Sequence, residues 1–281
     1  MDDLATYAEN TWCPGCGNFG ILNAVKKALI SLETKGIPRE RIVMTAGIGQ
    51  HAKIFDYLWL SGFYGLHGRS MATAQGIKLA NPDLKVVDFG GDGDSFGEGI
   101  EHMIFAAKRN SDITVICHNN GVYALTTGQM APTSERGYRG PSTPGGSVED
   151  PLNPLSLMLE AGATFVARGY SGKPAHLADL VVQAVEHEGF SFIDVLQPCV
   201  TFHDTFKEYN RMVEVLEQPV QILEEAVRQA KRTDRLPIGV LWQVRKIPYH
   251  REILGDANLV RTGLTREERI GKIEAYLSVR S

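Results

Sequence analysis

Short β-rich runs alternate with helical periodicities along most of this chain, and this alternation constrains the fold more than any other feature. Alternating strands and helices are typical of a parallel sheet with helices packed on its faces. The clearest helix begins at Ile100, because Met103, Ile104 and Ala107 continue its apolar face at helical spacing. We therefore predict an α/β fold with helices between residues 17 and 36, at 71–79, from 100, at 154–161 and at 174–187, and strands at 42–46, 85–90, 113–118, 165–168, 190–196 and 238–242.

The composition allows a large buried core and argues against several kinds of partner. The chain has 281 residues, of which 43% are hydrophobic, and a net charge of −4 from 29 basic and 33 acidic residues. Without a basic excess, we expect no nucleic-acid partner and no membrane partner. No apolar stretch reaches the ~18 residues of a membrane span, and the acidic start does not resemble a secretory signal. Four cysteines are too few for a disulfide scaffold, so we predict a cytoplasmic protein.

Composition also divides the chain into two parts. Residues after about 205 are more charged and mostly helical, with one strand predicted at 238–242. We therefore predict an α/β domain over 1–205 and a C-terminal arm over 206–281. Residues 126–150 are rich in Gly, Pro, Ser and Thr, which indicates a long loop of the kind that is usually functional or disordered.

A glycine-rich turn, Gly90-Gly91-Asp92-Gly93-Asp94-Ser95, joins the predicted strand at 85–90 to the helix from residue 100. A strand, a glycine turn and a helix start present free N–H groups to a phosphate. The two aspartates contradict an anion site unless a divalent cation lies between carboxylate and phosphate oxygens. The bland alternative is a tight turn in which both aspartates cap the helix. A Rossmann site fits less well, because the turn lacks the Gly-x-Gly-x-x-Gly spacing.

The next predicted strand ends at a second polar turn, Asn119-Asn120-Gly121-Val122-Tyr123. Adjacent parallel strands end at the same edge of a sheet, so Asp92 and Asn120 are expected to face one metal. The Val122 carbonyl would be the third ligand from the chain. The agreement of strand, helix and second turn favours a metal–diphosphate site over simple capping.

Six motifs in order extend this pattern into a resemblance to a known family. Together they resemble the β subunit of the 2-oxoacid:ferredoxin oxidoreductases, a thiamine-diphosphate-dependent family, and the match runs from about residue 10 to 205. The motifs are Trp12-Cys13-Pro14-Gly15-Cys16-Gly17, Ala46-Gly47-Ile48-Gly49, Leu66-His67-Gly68-Arg69, Gly91-Asp92-Gly93-Asp94, Val122-Tyr123-Ala124-Leu125-Thr126-Thr127-Gly128-Gln129 and Gln197-Pro198-Cys199-Val200-Thr201.

The resemblance implies a parallel-sheet fold that binds thiamine diphosphate and Mg²⁺, followed by the mostly helical arm. It implies that Asp92, Asn120 and the Val122 carbonyl hold the magnesium. Lys53 matches a lysine that approaches the substrate carboxylate, and Leu125 matches a position that lines the substrate pocket. Alone, Lys53 would be interpreted as a solvated surface charge. The residues that the resemblance assigns to the cofactor are Gly49, His67, Arg69, Gly91, Gly93, Asp94 and Tyr123.

Three cysteines match the family's iron–sulfur ligands, and the fourth ligand differs. Cys13, Cys16 and Cys199 are present, whereas Gln50 stands at the position of the fourth cysteine. Cys117 is no substitute, because it lies inside the strand at 113–118. Three interpretations stay open: a [4Fe–4S] cluster whose fourth ligand is Gln50, the neighbouring histidine or water, a three-iron cluster, or no cluster. A thioredoxin-like dithiol is disfavoured, because no strand precedes the Cys-x-x-Cys and its central pair is Pro-Gly.

The resemblance implies oxidative decarboxylation of a 2-oxoacid, with coenzyme A as acyl acceptor and ferredoxin as electron acceptor. Pyruvate and 2-oxoglutarate are the expected substrates. The glutamate that activates thiamine is expected from an α subunit, so we predict that this chain alone is inactive. Two alternatives remain: a non-redox decarboxylase or carboligase subunit, and a non-enzymatic scaffold, which the presence of Asp92, Asn120 and Lys53 opposes.

Overall fold

A computed structural model describes residues 4–261 and 263–279 of the chain. Besides short helical turns at Arg39–Arg41, His51–Lys53 and Gly93–Glu98, its helices and strands follow the predicted alternation closely. In chain order they are α1 (Asn18–Thr34), β1 (Ile42–Ala46), α2 (Ile54–Tyr57), β2 (Ser61–Tyr64), α3 (Ser70–Ala80), β3 (Lys85–Gly91), α4 (Ile100–Lys108), β4 (Ile113–Asn119), β5 (Val122–Tyr123), β6 (Gln129–Met130), α5 (Pro154–Glu160), β7 (Phe165–Tyr170), α6 (Pro174–Glu186), β8 (Ser191–Leu196), α7 (Phe206–Met212), β9 (Val213–Val215), α8 (Leu223–Ala230), β10 (Leu236–Gln243), α9 (Tyr249–Leu254) and α10 (Arg266–Ser278).

Eight of the strands form one mostly parallel sheet in the order β2-β1-β3-β4-β8-β7-β10-β9. Every neighbouring pair is parallel except β10 and β7, which are antiparallel. The central strands β4, β7 and β8 are buried almost throughout, because helices cover both faces of the sheet. The predicted parallel α/β fold is therefore confirmed, and β1, β3 and β4 end at one common edge.

The two faces of the sheet carry separate hydrophobic clusters. On one face α1 and α6 pack against the sheet, with Leu32 and Val181 among the buried side chains. On the other face α4, α5 and α8 supply Met103, Leu155 and Ala226 to a second cluster. The apolar periodicity of these helices is thus explained by burial against a sheet that is apolar on both sides.

Some elements were not predicted from the sequence. The edge strand β2 is exposed at all four residues, so its sequence lacks the apolar run or alternation that marks a strand. The strand predicted at 238–242 lies within β10, which joins the main sheet, while α8 packs against the second cluster. The division at residue 205 stays a prediction, and these contacts show that part of the arm belongs to the core. No helix within 4–261 or 263–279 is both long and apolar enough to cross a membrane.

Candidate functional site

The two polar turns meet at the carboxyl edge of the sheet, as the parallel topology predicts. Asp92 follows β3 directly and is only 2% exposed. Its Oδ2 accepts hydrogen bonds from the backbone N–H of Gly121, at 3.1 Å, and from Thr133 Oγ1, at 2.5 Å. Asn120 Oδ1 accepts from the Val122 N–H at 3.0 Å. The structure therefore brings the three predicted magnesium ligands together at one sheet edge.

Glycine is required in the turn after β3 because side chains of other loops pack directly on its backbone. A Cβ at Gly91 would lie 2.6 Å from His51 Nδ1, and one at Gly93 would lie 2.4 Å from Tyr123 Cε1. The Tyr123 hydroxyl also donates to the Gly93 carbonyl at 3.2 Å. Any larger residue at either glycine would push these rings away, so the motif is needed for close approach.

Asp94 connects three loops beneath this edge. Its Oδ1 accepts from the N–H groups of Ile48, at 3.0 Å, and Gly68, at 2.8 Å. His67 Nδ1 lies 2.9 Å from the same oxygen, and His51 Nε2 lies 3.7 Å from Oδ2. Asp94 Oδ2 and His51 Nε2 are buried and have no hydrogen-bond partner in the chain. Through these contacts the Asp94 carboxylate holds together the loops that follow β1, β2 and β3.

Two histidines beneath the pocket are held neutral by burial. Burial lowers the pKa of His51 to about 4, although the nearby Asp94 raises it. Burial also lowers the pKa of His118 well below its usual value, and His51 lowers it further. His118 Nδ1 lies 2.8 Å from Asn18 Oδ1, and its Nε2 has no partner. Both rings therefore present unpartnered nitrogens at the floor of the pocket without carrying charge.

Together these groups line a cavity of about 470 Å³, which we call the glycine–aspartate pocket. Leu125 is half exposed at its rim. Ten residues predicted from the sequence line it: Gly49, His67, Gly91, Asp92, Gly93, Asp94, Asn120, Val122, Tyr123 and Leu125.

Of the residues predicted to contact magnesium, thiamine diphosphate or substrate, Lys53 and Arg69 are the two that do not line this pocket. Lys53 Nζ lies 2.6 Å from Asp56 Oδ2, and this hydrogen bond is the main cause that raises the pKa of the lysine. Arg69 Nη1 donates to the carbonyls of Glu98, at 2.6 Å, and Gly68, at 3.2 Å. Arg69 therefore joins the loop that carries His67 to the helical turn after Asp94, and its predicted contact with the cofactor stays a prediction.

The three cysteines line a second cavity, of about 470 Å³, which we call the cysteine pocket. Thr201 Oγ1 donates to Cys13 Sγ at 3.3 Å, and Gln197 Nε2 lies 3.7 Å from Cys16 Sγ. Burial raises the pKa of Cys16 to about 11, and neighbouring Cys199 and Cys13 raise it as well. The two pockets share Gln50, Asn120 and Ala124 as a common wall.

The surroundings of Gln50 bear on the missing fourth cysteine. Trp12 Nε1 donates to the Gln50 carbonyl at 2.8 Å, and Gln50 lines the cysteine pocket. His51 lines the glycine–aspartate pocket and not the cysteine pocket, so of the two residues predicted as a possible fourth cluster ligand, Gln50 is the one that lies beside the three cysteines. Cys117 is fully buried in β4, as predicted. Within the described part of the chain, no three His, Cys, Asp or Glu side chains are arranged as a metal site.

Sequence reasoning missed four polar residues around the two pockets, of which Asn18, His118 and Gln197 are buried and Thr133 is partly buried. Thr133 lies in the long loop, and its bond to Asp92 is visible only in the folded chain. Gln197 follows β8 directly, so the rule that polar residues gather at the carboxyl ends of strands is the signal that points to it. Asn18 begins α1 and faces His118, a histidine in an otherwise apolar strand. Such a histidine indicates either core packing or a site, and here it lines the pocket.

Comparison with known proteins agrees with this geometry. The family model "Thiamine pyrophosphate enzyme, C-terminal TPP binding domain" matches residues 45–195. A 2-oxoacid:ferredoxin oxidoreductase subunit beta from Sulfolobus sp is 42% identical over an alignment of 261 positions, and the match covers 86% of this chain and 85% of that protein. The 2-oxoglutarate oxidoreductase subunit KorB from Mycobacterium tuberculosis is 42% identical over 202 residues, covering 72% of this chain and 53% of that protein.

A solved structure is similar over nearly the whole chain. It is a 2-oxoglutarate:ferredoxin oxidoreductase from Magnetococcus marinus with 2-oxoglutarate, coenzyme A and succinyl-CoA bound. It shares 36% sequence identity and a TM-score of 0.87, and the match covers 96% of this chain and 94% of that one. The chain therefore belongs to the thiamine pyrophosphate enzymes and, within them, to the β subunits of the 2-oxoacid:ferredoxin oxidoreductases.

Proposed function

We propose that this chain, together with an α subunit, oxidatively decarboxylates a 2-oxoacid, transfers the acyl group to coenzyme A and passes two electrons to ferredoxin. The observation that carries the proposal is the common wall of the two pockets. Gln50, Asn120 and Ala124 line both, so a cofactor in the glycine–aspartate pocket lies next to any electron carrier in the cysteine pocket. Ready transfer of single electrons requires such proximity, whereas non-redox thiamine chemistry does not.

Asp92, Asn120 and the Val122 carbonyl would hold Mg²⁺. Burial raises the pKa of Asp92 to about 6, and no Lys or Arg of the described residues lines its pocket to balance the charge. A bound divalent cation supplies that balance, and carboxylate, amide and carbonyl oxygens are the ligands that Mg²⁺ prefers. Phosphate oxygens of the cofactor would complete the coordination shell of the Mg²⁺ ion. A single carboxylate from the chain, that of Asp92, is therefore enough.

The backbone around Gly93 and Asp94, with His67 and Arg69, would hold the diphosphate. The unpartnered nitrogens of His51 and His118 line the same cavity and fit a polar ligand. Thiamine diphosphate, when bound, supplies the carbanion that attacks the keto carbon and the electron sink for the bond that breaks. The chain's own task is then to orient the cofactor and to keep the cavity closed to water.

Lys53 and Leu125 would contact the substrate. No Lys or Arg of the described residues lines the glycine–aspartate pocket, so the substrate carboxylate needs a cation from nearby. Lys53 is the candidate, and its partner Asp56 would have to release it. The half-exposed Leu125 at the rim would contact the substrate side chain. Since 2-oxoglutarate is bound in the similar structure from Magnetococcus marinus, 2-oxoglutarate and pyruvate are the substrates to test first.

An α subunit would complete the site. Thiamine activation needs a glutamate near the aminopyrimidine ring, and no glutamate of the described residues lines the glycine–aspartate pocket. The similar proteins are themselves named β subunits. The glutamate would therefore come from the α subunit. This explains why the chain is expected to be inactive alone, although Asp92, Asn120 and Val122 are all present.

The cysteine pocket would hold an iron–sulfur cluster on Cys13, Cys16 and Cys199. Thiolates are the ligands that iron–sulfur clusters prefer, and the three thiols line one cavity. Deprotonation of Cys16 against its high pKa requires a cationic partner, which iron supplies. With Gln50 in place of a cysteine, the fourth iron would be bound by the amide or by water, or that iron would be absent.

The experiment is to co-express the chain with its α subunit, purify the complex without oxygen, and count iron, sulfide and thiamine diphosphate per β chain. We expect about four sulfides with four irons for a [4Fe–4S] cluster, or with three irons for a three-iron cluster, and ferredoxin reduction that depends on both 2-oxoacid and coenzyme A. Spectroscopy then separates the three-iron from the four-iron cluster. Thiamine diphosphate binding without iron, with aldehyde or a condensation product released, would reject the redox proposal.

That last outcome is the second candidate function, a non-redox thiamine decarboxylase or carboligase. The observation that favours it is Gln50, since an amide oxygen is a poor ligand for an iron–sulfur cluster. Anaerobic product analysis separates the two candidates, because only the redox reaction yields an acyl-CoA together with reduced acceptor.

A further inference from the structure

The turn at residues 119–123 carries two of the three proposed magnesium ligands, and we call it the metal turn. A buried ion pair connects it to the C-terminal arm. Arg168 in β7 and Asp194 in β8 are register neighbours, 5% and 1% exposed, with Nε and Oδ2 3.6 Å apart. Asn119 Nδ2, in the residue before Asn120, donates to Asp194 Oδ1 at 2.9 Å. On the other side, Arg168 Nη2 donates to the carbonyl of Ala230, the last residue of α8, at 3.2 Å.

Stability alone does not account for this pair. Removing two charges from water costs several kcal/mol per ion, and a buried pair recovers that cost only when hydrogen bonds satisfy the remaining polar atoms. Here Arg168 Nε and Nη1 have no hydrogen-bond partner among the described residues. Neighbouring positions of these strands hold Val166 and Phe192 at full burial, so apolar side chains are accommodated there. A costly pair in an apolar sheet points to a role other than packing.

The role is indicated by what Asp194 contacts. Asn119 ends β4 and begins the turn that carries Asn120 and the Val122 carbonyl. The Asp194 hydrogen bond fixes the Asn119 side chain, and Gln197 Oε1 fixes that of Asn120 by accepting from its Nδ2 at 3.0 Å. Adjacent residues of one turn are thus anchored to β8 and to the residue just beyond it.

We infer that Asp194, oriented by Arg168, is a positioning residue for the metal turn, which it holds so that Asn120 and the Val122 carbonyl face Asp92. The inference rests on the proposed binding of Mg²⁺ and thiamine diphosphate at this turn. Through the contact of Arg168 with Ala230, the same chain of polar groups joins the arm to the cofactor site.

The test is thiamine diphosphate binding by the co-expressed αβ complex, followed by fluorescence at fixed Mg²⁺ and repeated over a Mg²⁺ series. Asn119→Asp places a carboxylate beside that of Asp194. We therefore expect the affinity for thiamine diphosphate to fall about 10-fold or more, as is typical for mutations of residues that hydrogen-bond to metal ligands. More Mg²⁺ should then be needed for half-saturation. Asn119→Ala removes the donor without adding charge and is the second variant if the first does not fold.

The reciprocal double variant, Asn119→Asp with Asp194→Asn, restores one carboxylate, one amide and the hydrogen bond between them. We expect it to recover part of the lost affinity, because the hydrogen bond returns while Arg168 faces an amide in place of its carboxylate partner. Mere damage to the fold would give no recovery. Asn258→Asp is the matched control: Asn258 Nδ2 donates to Asp83 Oδ2 at 2.8 Å, so this variant also places one carboxylate beside another, at a position that lines neither pocket. This control should bind the cofactor as the wild type does.

Wild-type affinity in both Asn119 variants would overturn the inference, and so would a double variant that binds no better than Asn119→Asp. Failure of the proposed function has a different signature, because the wild-type complex itself would then bind no thiamine diphosphate, and the inference would fall with it. Melting temperatures of all variants separate a displaced turn from a loss of folding.

Discussion

Three aspartates lie along β3 and the turn that follows it: Asp88, Asp92 and Asp94, each at most 3% exposed. Burial raises the pKa of Asp88 to about 7 and that of Asp92 to about 6. Thr45 Oγ1 donates to Asp88 Oδ1 at 2.6 Å, which lowers the pKa of Asp88 but does not outweigh burial. At the residue scale, desolvation is therefore the dominant influence on the protonation of these two groups.

Asp88 makes the stability of the protein depend on pH. Its pKa is about 7 in the folded chain against 3.8 as the ordinary value, so the folded state holds a proton that the unfolded state has released. Stability should consequently fall as the pH rises from about 4 to about 7, by up to about 4 kcal/mol from this group. Asp88→Asn removes that contribution, so its urea-denaturation free energy should fall less between pH 5 and pH 8.

The matched control is Asp179→Asn on the exposed side of α6, which should keep the wild-type pH dependence. If Asp88→Asn and the wild type lose the same free energy over this range, Asp88 is already ionised at pH 5 in the folded protein and the prediction is wrong.

Gln50 offers a direct test of the cysteine pocket. Since Gln50 lines the pocket with Cys13, Cys16 and Cys199, Gln50→Cys supplies the fourth thiolate. We expect iron per chain in the complex to be four and the cluster to survive air longer, because four thiolates hold a [4Fe–4S] cluster more tightly. Cys13→Ser should lower the iron content instead. No change in iron or in air sensitivity with Gln50→Cys would show that residue 50 does not face the cluster.

Lys53 is expected to act through its charge even though it lies outside the glycine–aspartate pocket. Lys53→Met should raise KM and lower kcat for every 2-oxoacid, because the substrate carboxylate loses its cation. Asp56→Asn is the companion variant, and since it frees Lys53 from its present partner, KM should not rise. Steady-state kinetics of the complex with pyruvate and 2-oxoglutarate measure both, and unchanged kinetics in Lys53→Met would remove Lys53 from the site.

At the scale of elements, Gly20 allows α1 to pack closely against the segment that follows β7. A Cβ at Gly20 would lie 2.1 Å from the Ser171 carbonyl oxygen, a backbone atom that cannot move alone. Gly20→Ala should therefore force α1 away and lower the free energy of unfolding by about 1–3 kcal/mol. Thermal and urea denaturation measure the loss.

Gly76 provides the opposite case within α3. A Cβ there meets nothing within 4 Å, so Gly76→Ala should stabilise the protein by about 0.5–1 kcal/mol through helix propensity and reduced chain entropy. If both glycine substitutions shift stability in the same direction, close approach of α1 to Ser171 is not what requires Gly20.

At the scale of the whole molecule, the proposed function requires a partner subunit. The glycine–aspartate pocket contains the metal turn but no glutamate among its described lining residues. We therefore expect the isolated chain, supplied with thiamine diphosphate and Mg²⁺, to show no 2-oxoacid decarboxylation, and the αβ complex to restore it. Carbon dioxide release from labelled 2-oxoacid measures this, and activity in the isolated chain would contradict the proposal that the α subunit completes the site.

Much of the fold was predictable because local patterns and burial agree. The strands β1, β3 and β4 were predicted to within a residue at each end, since their apolar runs are bounded by Gly, Pro and polar residues. The exposed edge strand β2 and the antiparallel pairing of β10 with β7 were not predicted, because both depend on contacts with distant parts of the chain. The site was predictable where motifs stand at strand ends, as with Asp92 and Asn120.

By itself, the sequence determined the parallel α/β alternation, the glycine turn with its acidic residues, and three cysteines in a recognisable order, because each is encoded within a short segment. Only the tertiary structure decided which distant groups form hydrogen bonds: Thr133 with Asp92, Asn18 with His118, and Asn119 with Asp194. It also decided the protonation of buried groups, because the pKa shifts of Asp92 and His51 arise mainly from burial. Burial and contact between distant segments exist only once the chain is folded, so no local pattern contains them.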